Sequence, residues 1–310
     1  MRTFEELKRA ALERGARTVA VVGAASTTAL GALDAAVRSG LARAVLVGDV
    51  DRARELVREE GFEALLDARF VDAPDDDAGD RAAALAGAGD VEILLKGTLR
   101  TDQLLRAVLD RRTGLRTDRL LSDVLLYEDT LSGETRLVGV TDGGINIAPT
   151  FDQMHQIIEN AVAVFHALGY ERPRVALMSA TEAVTDSVPS TVEARAFTEL
   201  AAAAREDPTS VLARAEIFGP LALDNALLVS AARAKNITSD VAGRADVMVL
   251  PNIEAGNILG KAVKYLAGSA TAHVVVGARV PVLIPSRVES ADDKLLSIAL
   301  GVVAYDAVRQ

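Results

Sequence analysis

Short β-branched runs alternate along this chain with alanine- and leucine-rich stretches at helical spacing, and that alternation constrains the fold more than any other feature. Arg17-Thr18-Val19-Ala20-Val21-Val22-Gly23 reads as a buried strand closed by a glycine, residues 27–39 as a helix, and Ala44-Val45-Leu46-Val47-Gly48-Asp49 as the next strand. Apolar runs recur at 91–95, 123–127, 174–178, 246–250, 272–276 and 281–284. Most are separated by helical stretches at 51–60, 101–110, 151–168, 192–205, 223–235 and 255–266. Strands that are continuously apolar rather than alternating are buried on both faces, so the pattern predicts an α/β chain with a parallel sheet covered by helices. The turn-rich segment Thr141 to Pro149 and the crossing from Pro281 to Ser290 mark a division. Residues 1–148 plus 278–310 read as a first α/β domain and 149–277 as a second, the last helix (about 291–307) returning to the first.

With 310 residues, half of them hydrophobic, the chain can build two cores without a metal or a disulfide. Cysteine is absent, which removes disulfides, thiolate metal sites and a cysteine nucleophile. Met1 to Lys8 reads as an amphipathic helix start, and no apolar run of about 18 residues occurs, so the expectation is a soluble, unexported, cytoplasmic protein without a membrane span. A net charge of −10 with no tryptophan argues against nucleic-acid binding. Gly23-Ala24-Ala25-Ser26 lacks the glycine spacing of a dinucleotide site, and neither a GxxxxGK[ST] phosphate loop nor a GxSxG elbow is present. His155, His166 and His273 are scattered, which argues against a metal. A reaction whose own substrate supplies the nucleophile would need none from the protein.

Three segments are dense in polar residues at strand ends, where ligands of parallel sheets bind. Pro285-Ser286-Arg287-Val288-Glu289-Ser290-Ala291-Asp292-Asp293-Lys294 follows an apolar strand and opens a helix. Its serine and arginine suit an anion such as phosphate, while Ser290 and Asp293 equally match a helix capping box. Leu250 to Leu259 carries Asn252, Glu254, Gly256 and Asn257, for which capping and ligand contact both remain open. Lys96-Gly97 closes a third strand.

Taken together these segments resemble the phosphate acyltransferases, in particular the phosphate butyryltransferase branch beside phosphate acetyltransferase. The resemblance runs through Leu95-Lys96-Gly97, Leu105 to Leu109, Gly114 to Thr117, Thr141-Asp142 with Asn146-Ile147-Ala148-Pro149, Gly219 to Ala226, Val241 to Asp246, Pro251 to Asn257 and Ser286-Arg287. It implies a two-domain α/β/α sandwich of the isocitrate and isopropylmalate dehydrogenase kind with an active-site cleft between the domains, and a homodimer. The implied reaction is reversible transfer of a short-chain acyl group between acyl phosphate and coenzyme A, without an acyl-enzyme, a metal or a permanently bound cofactor. Coenzyme A, acyl phosphate and inorganic phosphate are then the partners.

By position, Arg287 resembles the family's phosphate-orienting arginine, Ser286 its neighbouring donor and Asp293 the general base, with Asp292 as a rival base. Arg106, Lys96, Ser122 and Asn257 are the expected substrate-binding residues. Gly143-Gly144 stands where the butyryl branch usually has Ala-Ala, and Gly260 where it often has an aromatic residue. A carboxylate near pKa 3.9 is a poor base for a thiol near 8.5, a gap of about 4.6 units or roughly 6 kcal/mol, so burial and a nearby arginine have to close it. The rival readings are a phosphate acetyltransferase, a dehydrogenase on the same fold, and a non-catalytic subunit that binds acyl-CoA or acyl phosphate.

Overall fold

Four strands from the amino-terminal third, β1 (Arg17–Val22), β2 (Ala42–Gly48), β3 (Arg69–Asp72) and β4 (Ile93–Lys96), pair in parallel in the order β3-β2-β1-β4. The computed structural model describes residues 1–207 and 209–308. Residues Val19 to Val22 and Ile93 to Leu95 are wholly inaccessible to solvent, as two-sided burial requires. Between the strands run α2 (Thr27–Arg38), α3 (Val50–Glu59) and α4 (Ala78–Gly87), preceded by α1 (Phe4–Glu13) and followed by α5 (Thr101–Leu109). Ser26 and Asp49 accept backbone N–H groups at the starts of α2 and α3, so the residue that ends each strand turn also opens the helix.

A second set of strands comprises β5 (Ser122–Asp129), β6 (Arg136–Thr141), β7 (Arg174–Met178), β8 (Glu216–Leu221) and β9 (Val247–Val249), ordered β5-β6-β9-β7-β8. Its helices are α6 (Phe151–Ala167), α7 (Pro189–Ala204), α8 (Leu223–Leu227), α9 (Val229–Ala234) and α10 (Ile253–Lys261). The chain then returns beside β4 as β10 (Thr271–Val276), β11 (Val282–Leu283) and α11 (Ala291–Ala304). Two compact units result: Glu5–Leu121 with the chain from Thr271 on, and Met1–Phe4 with Ser122–Ala270.

The cuts therefore fall at 121/122 and 270/271, where the sequence suggests 148/149 and 277/278. β5 and β6 lie with the second set because β6 pairs along β9, Gly139 opposite Val247. Gly139 also lets α6 close on the strand: a Cβ there would sit 2.7 Å from the Phe165 ring.

The α/β class expected from the sequence is present, and most strand pairs are parallel, but the pairing is mixed. β5–β6 and β10–β11 are antiparallel. Six residues join β5 to β6, and Gly133 in that turn has φ +85, so the connection is a hairpin rather than a crossover. β3 is at the edge of the first set and β8 at the edge of the second, and neither is an apolar run: β3 is buried only at Val71, and β8 contains Gly219-Pro220. The predicted helix over 223–235 is two helices, broken where Leu228 is extended.

Candidate active site

In the unit containing the amino-terminal strands, β1, β4 and β11 are parallel neighbours, so their carboxyl ends and the loops after them share one edge. Those strand ends and loops form a pocket of about 190 Å³ lined by Ala25, Ser26 and Thr28 after β1, Lys96 at the end of β4 with Gly97 and Thr98 after it, Pro285 and Arg287 after β11, and Lys294 from α11. Ser26 is the N-cap of the twelve-residue helix α2, so the positive end of that helix opens at the same place.

Close backbone approach makes the pocket. Gly97 N–H donates to the Val22 carbonyl at 2.8 Å, and Thr98 N–H to the Gly23 carbonyl at 2.9 Å. A Cβ on Gly97 would lie 2.1 Å from the Gly23 oxygen, and Gly23 itself has φ +74. Gly97→Ala must push the two loops apart, and is expected to cost about 3 kcal/mol, which chemical denaturation measures.

Three cations converge here. Lys96 is 5% exposed and, among the described residues, its ammonium takes part in no hydrogen bond or ion pair. Burial, then the charges of Arg287 and Lys294, hold its pKa below the ordinary lysine value. Lys294 is 2% exposed and donates to the carbonyls of Glu289 (2.6 Å) and Ser286 (3.2 Å). Burial lowers its pKa as well. Arg287 is exposed and reaches the Thr98 carbonyl at 3.4 Å. Nearby, Glu289 faces His273 at 3.5 Å. Burial acts to raise the Glu289 carboxyl, yet the hydrogen bond and charge of His273 hold it below the usual range.

Of the residues named from the sequence, Lys96 and Arg287 meet in this pocket. Ser286 flanks it, its carbonyl holding Lys294. Asp293 is 2% exposed and lies outside the pocket lining. One carboxylate oxygen accepts the Thr271 N–H at 3.0 Å, and the other accepts the Ser290 N–H and hydroxyl at 3.2 and 2.6 Å, completing the capping box of α11. Asp292 is exposed. Arg106 lies on α5, largely exposed and paired with Asp102 one helical turn away. Ser122 and Asn257 are in the other unit: Ser122 is buried and accepts from the Asn160 amide at 2.8 Å, and Asn257 donates to the Gly143 carbonyl at 3.1 Å. Sequence reasoning passed over Ser26, Thr28, Thr98 and Lys294. In the sequence the turn at Ser26 stands out only for the dinucleotide motif it lacks. A usable signal for Lys294 was composition, since two of only six lysines among 34 basic residues fall in this pocket.

The Thr141 to Pro149 segment forms a separate polar cluster in the other unit. Asp142, 3% exposed, accepts the N–H groups of Gly144 and Ile145 on one oxygen and the N–H and side-chain amide of Asn146 on the other. Gly143 and Gly256 allow this loop to touch α10; a Cβ on Gly256 would lie 2.4 Å from the Asp142 carbonyl oxygen. Burial, and then the Asp123 charge, raise the Asp142 carboxyl from 3.8 to about 6. The folded chain thus keeps a proton that the unfolded chain has already released. This contribution to stability is complete below about pH 4 and is lost as pH rises to about 6, with a ceiling of roughly 3 kcal/mol. Wild type is expected to lose stability relative to Asp142→Asn across that window in denaturant titrations; a pH-independent difference contradicts the assignment.

A family profile described as phosphate acetyl/butaryl transferase matches residues 72–302. A phosphate acetyltransferase of Rhizobium meliloti is 36% identical over 99% of this chain and 94% of its own length. A phosphate butyryltransferase of Clostridium beijerinckii is 36% identical over 96% of each. Among solved structures, a branched-chain phosphotransacylase from Enterococcus faecalis superposes with a TM-score of 0.78 at 26% identity, covering 93% of this chain and 99% of that one. Taken with the α/β fold and the cationic pocket, these matches show that the chain belongs to the phosphate acetyl/butaryl transferase family.

Proposed function

We propose that this acyltransferase moves a short-chain acyl group reversibly between acyl phosphate and coenzyme A, with the phosphoryl group held in the pocket of Lys96, Arg287 and Lys294. The observation that carries this reading is the convergence of those three cations with the amino terminus of α2, at the carboxyl ends of parallel strands. Arg287 supplies a planar fork for two phosphoryl oxygens, Lys96 a point charge, and Ser26 and Thr28 hydroxyl donors.

In the forward direction the coenzyme A sulfur attacks the acyl carbon, the C–O bond to phosphate breaks, and the thiol proton ends on the released phosphate. The cations act where negative charge develops, on the tetrahedral oxyanion and the departing phosphate. They also favour the thiolate over the thiol. Asp293 in this reading is a positioning residue: its carboxylate accepts from Ser290, where the loop that bears Arg287 ends, and from the Thr271 N–H at the start of β10, fastening the start of α11, from which Lys294 projects.

The Asn146-Ile147-Ala148-Pro149 segment, which resembles the butyryl more than the acetyl branch, supports a butyryl rather than an acetyl substrate. The reading includes a homodimer in the cytoplasm, where coenzyme A is available; among the described residues no helix is long and apolar enough to cross a membrane. Thiol consumption with acetyl, propionyl and butyryl phosphates tests the reaction and ranks the acyl chains together. The expected order rises toward butyryl, and absence of consumption with every member of the series overturns the reading.

A further inference from the structure

We propose that Lys96 is a site of self-acylation by the acyl phosphate when coenzyme A is absent. This rests on the placement of the phosphoryl group proposed above. The pocket holds two lysines, but only one has an amine at liberty to react. Lys294 is tied to two carbonyls, whereas the Lys96 ammonium takes part in no hydrogen bond or ion pair among the described residues. Lys96 also ends β4 beside Gly97, whose contacts with Val22 and Gly23 fix where its side chain begins. A phosphoryl group bound between Lys96 and Arg287 puts the attached acyl carbon within a few atoms of that amine, and a held electrophile gains a large effective concentration.

The step balances without a further reactant. The neutral amine attacks the acyl carbon, a C–N bond forms, the C–O bond to phosphate breaks, and the amine proton leaves with the phosphate. Burial, and then the like charges of Arg287 and Lys294, favour the neutral form of Lys96, as in other nucleophilic lysines. The product is an uncharged amide in a pocket of about 190 Å³, so the modified chain loses both a cation and the room for phosphate. Coenzyme A competes for the same carbon. The pocket would therefore inactivate itself when acyl phosphate is plentiful and coenzyme A scarce.

The test is incubation of the native protein with butyryl phosphate, without coenzyme A, followed by peptide mass mapping and an activity assay on the same samples. Lys96 should gain one butyryl group at least about tenfold faster than the exposed Lys235 and Lys261, because only Lys96 faces a held electrophile. Inorganic phosphate or coenzyme A should protect it, and activity should fall in step with its occupancy. Lys96→Arg should show no such labelling at position 96. A preparation that turns over coenzyme A while Lys96 stays unmodified, or is modified no faster than exposed lysines, overturns this inference and leaves the proposed function standing. A preparation with neither turnover nor labelling overturns both. Labelling without turnover supports the reactive amine and rejects the proposed function.

Discussion

Arg287→Ala is expected to lower kcat/KM for acyl phosphate by about 10²–10³, the loss typical of removing one donor from developing negative charge. The fold should be nearly unaffected, because Arg287 is exposed and its contact with the Thr98 carbonyl, at 3.4 Å, is long. Arg287→Lys should restore only part of the loss, since an ammonium keeps the charge but cannot grip two oxygens as a planar fork does. Steady-state assays with coenzyme A and butyryl phosphate, alongside a thermal melt, separate the two effects. A variant with unchanged kcat/KM removes Arg287 from the phosphate site.

Asp293→Ala is expected to act first on stability, by about 3 kcal/mol. The change strands the buried Thr271 N–H and the Ser290 N–H and removes half of a capping box. Turnover should fall too, since α11 then no longer holds Lys294 and the Arg287 loop in register. The pH dependence decides between a positioning carboxylate and a proton acceptor. If Asp293 positions, Asp293→Asn lowers turnover while the shape of the pH profile of kcat/KM is kept, and denaturant midpoints fall in parallel. If it is the base, the variant loses the acidic limb of the profile with stability near wild type.

The same residue shows how far the sequence could be read. The spacing from Ser290 to Asp293 is local, so the capping box was legible; the bond to Thr271 links residues 22 apart, and nothing in the spacing announces it. Buried parallel strands such as β1 and β4 were legible because both faces are apolar. β3 was not, since only Val71 of its four residues is buried. The pocket was half legible for a similar reason. Lys96 and Arg287 stand beside strand-ending motifs, whereas Ser26 and Thr28 join them only because β1 pairs with β4 and β4 with β11. Ser122 and Asn257 carry the right chemistry in the sequence, and the bonds they make, with Asn160 and the Gly143 carbonyl, join residues 38 and 114 apart that no local spacing links.

Everything functional depends on a phosphoryl group lying against the loops that follow β1, β4 and β11. A crystal structure of the protein grown with inorganic phosphate and coenzyme A measures this directly. The expected density is a phosphate within hydrogen-bonding distance of Lys96 Nζ and the Arg287 guanidinium, at the amino terminus of α2. A phosphate bound reproducibly elsewhere, with Lys96 and Arg287 contacting only protein and water, contradicts the account.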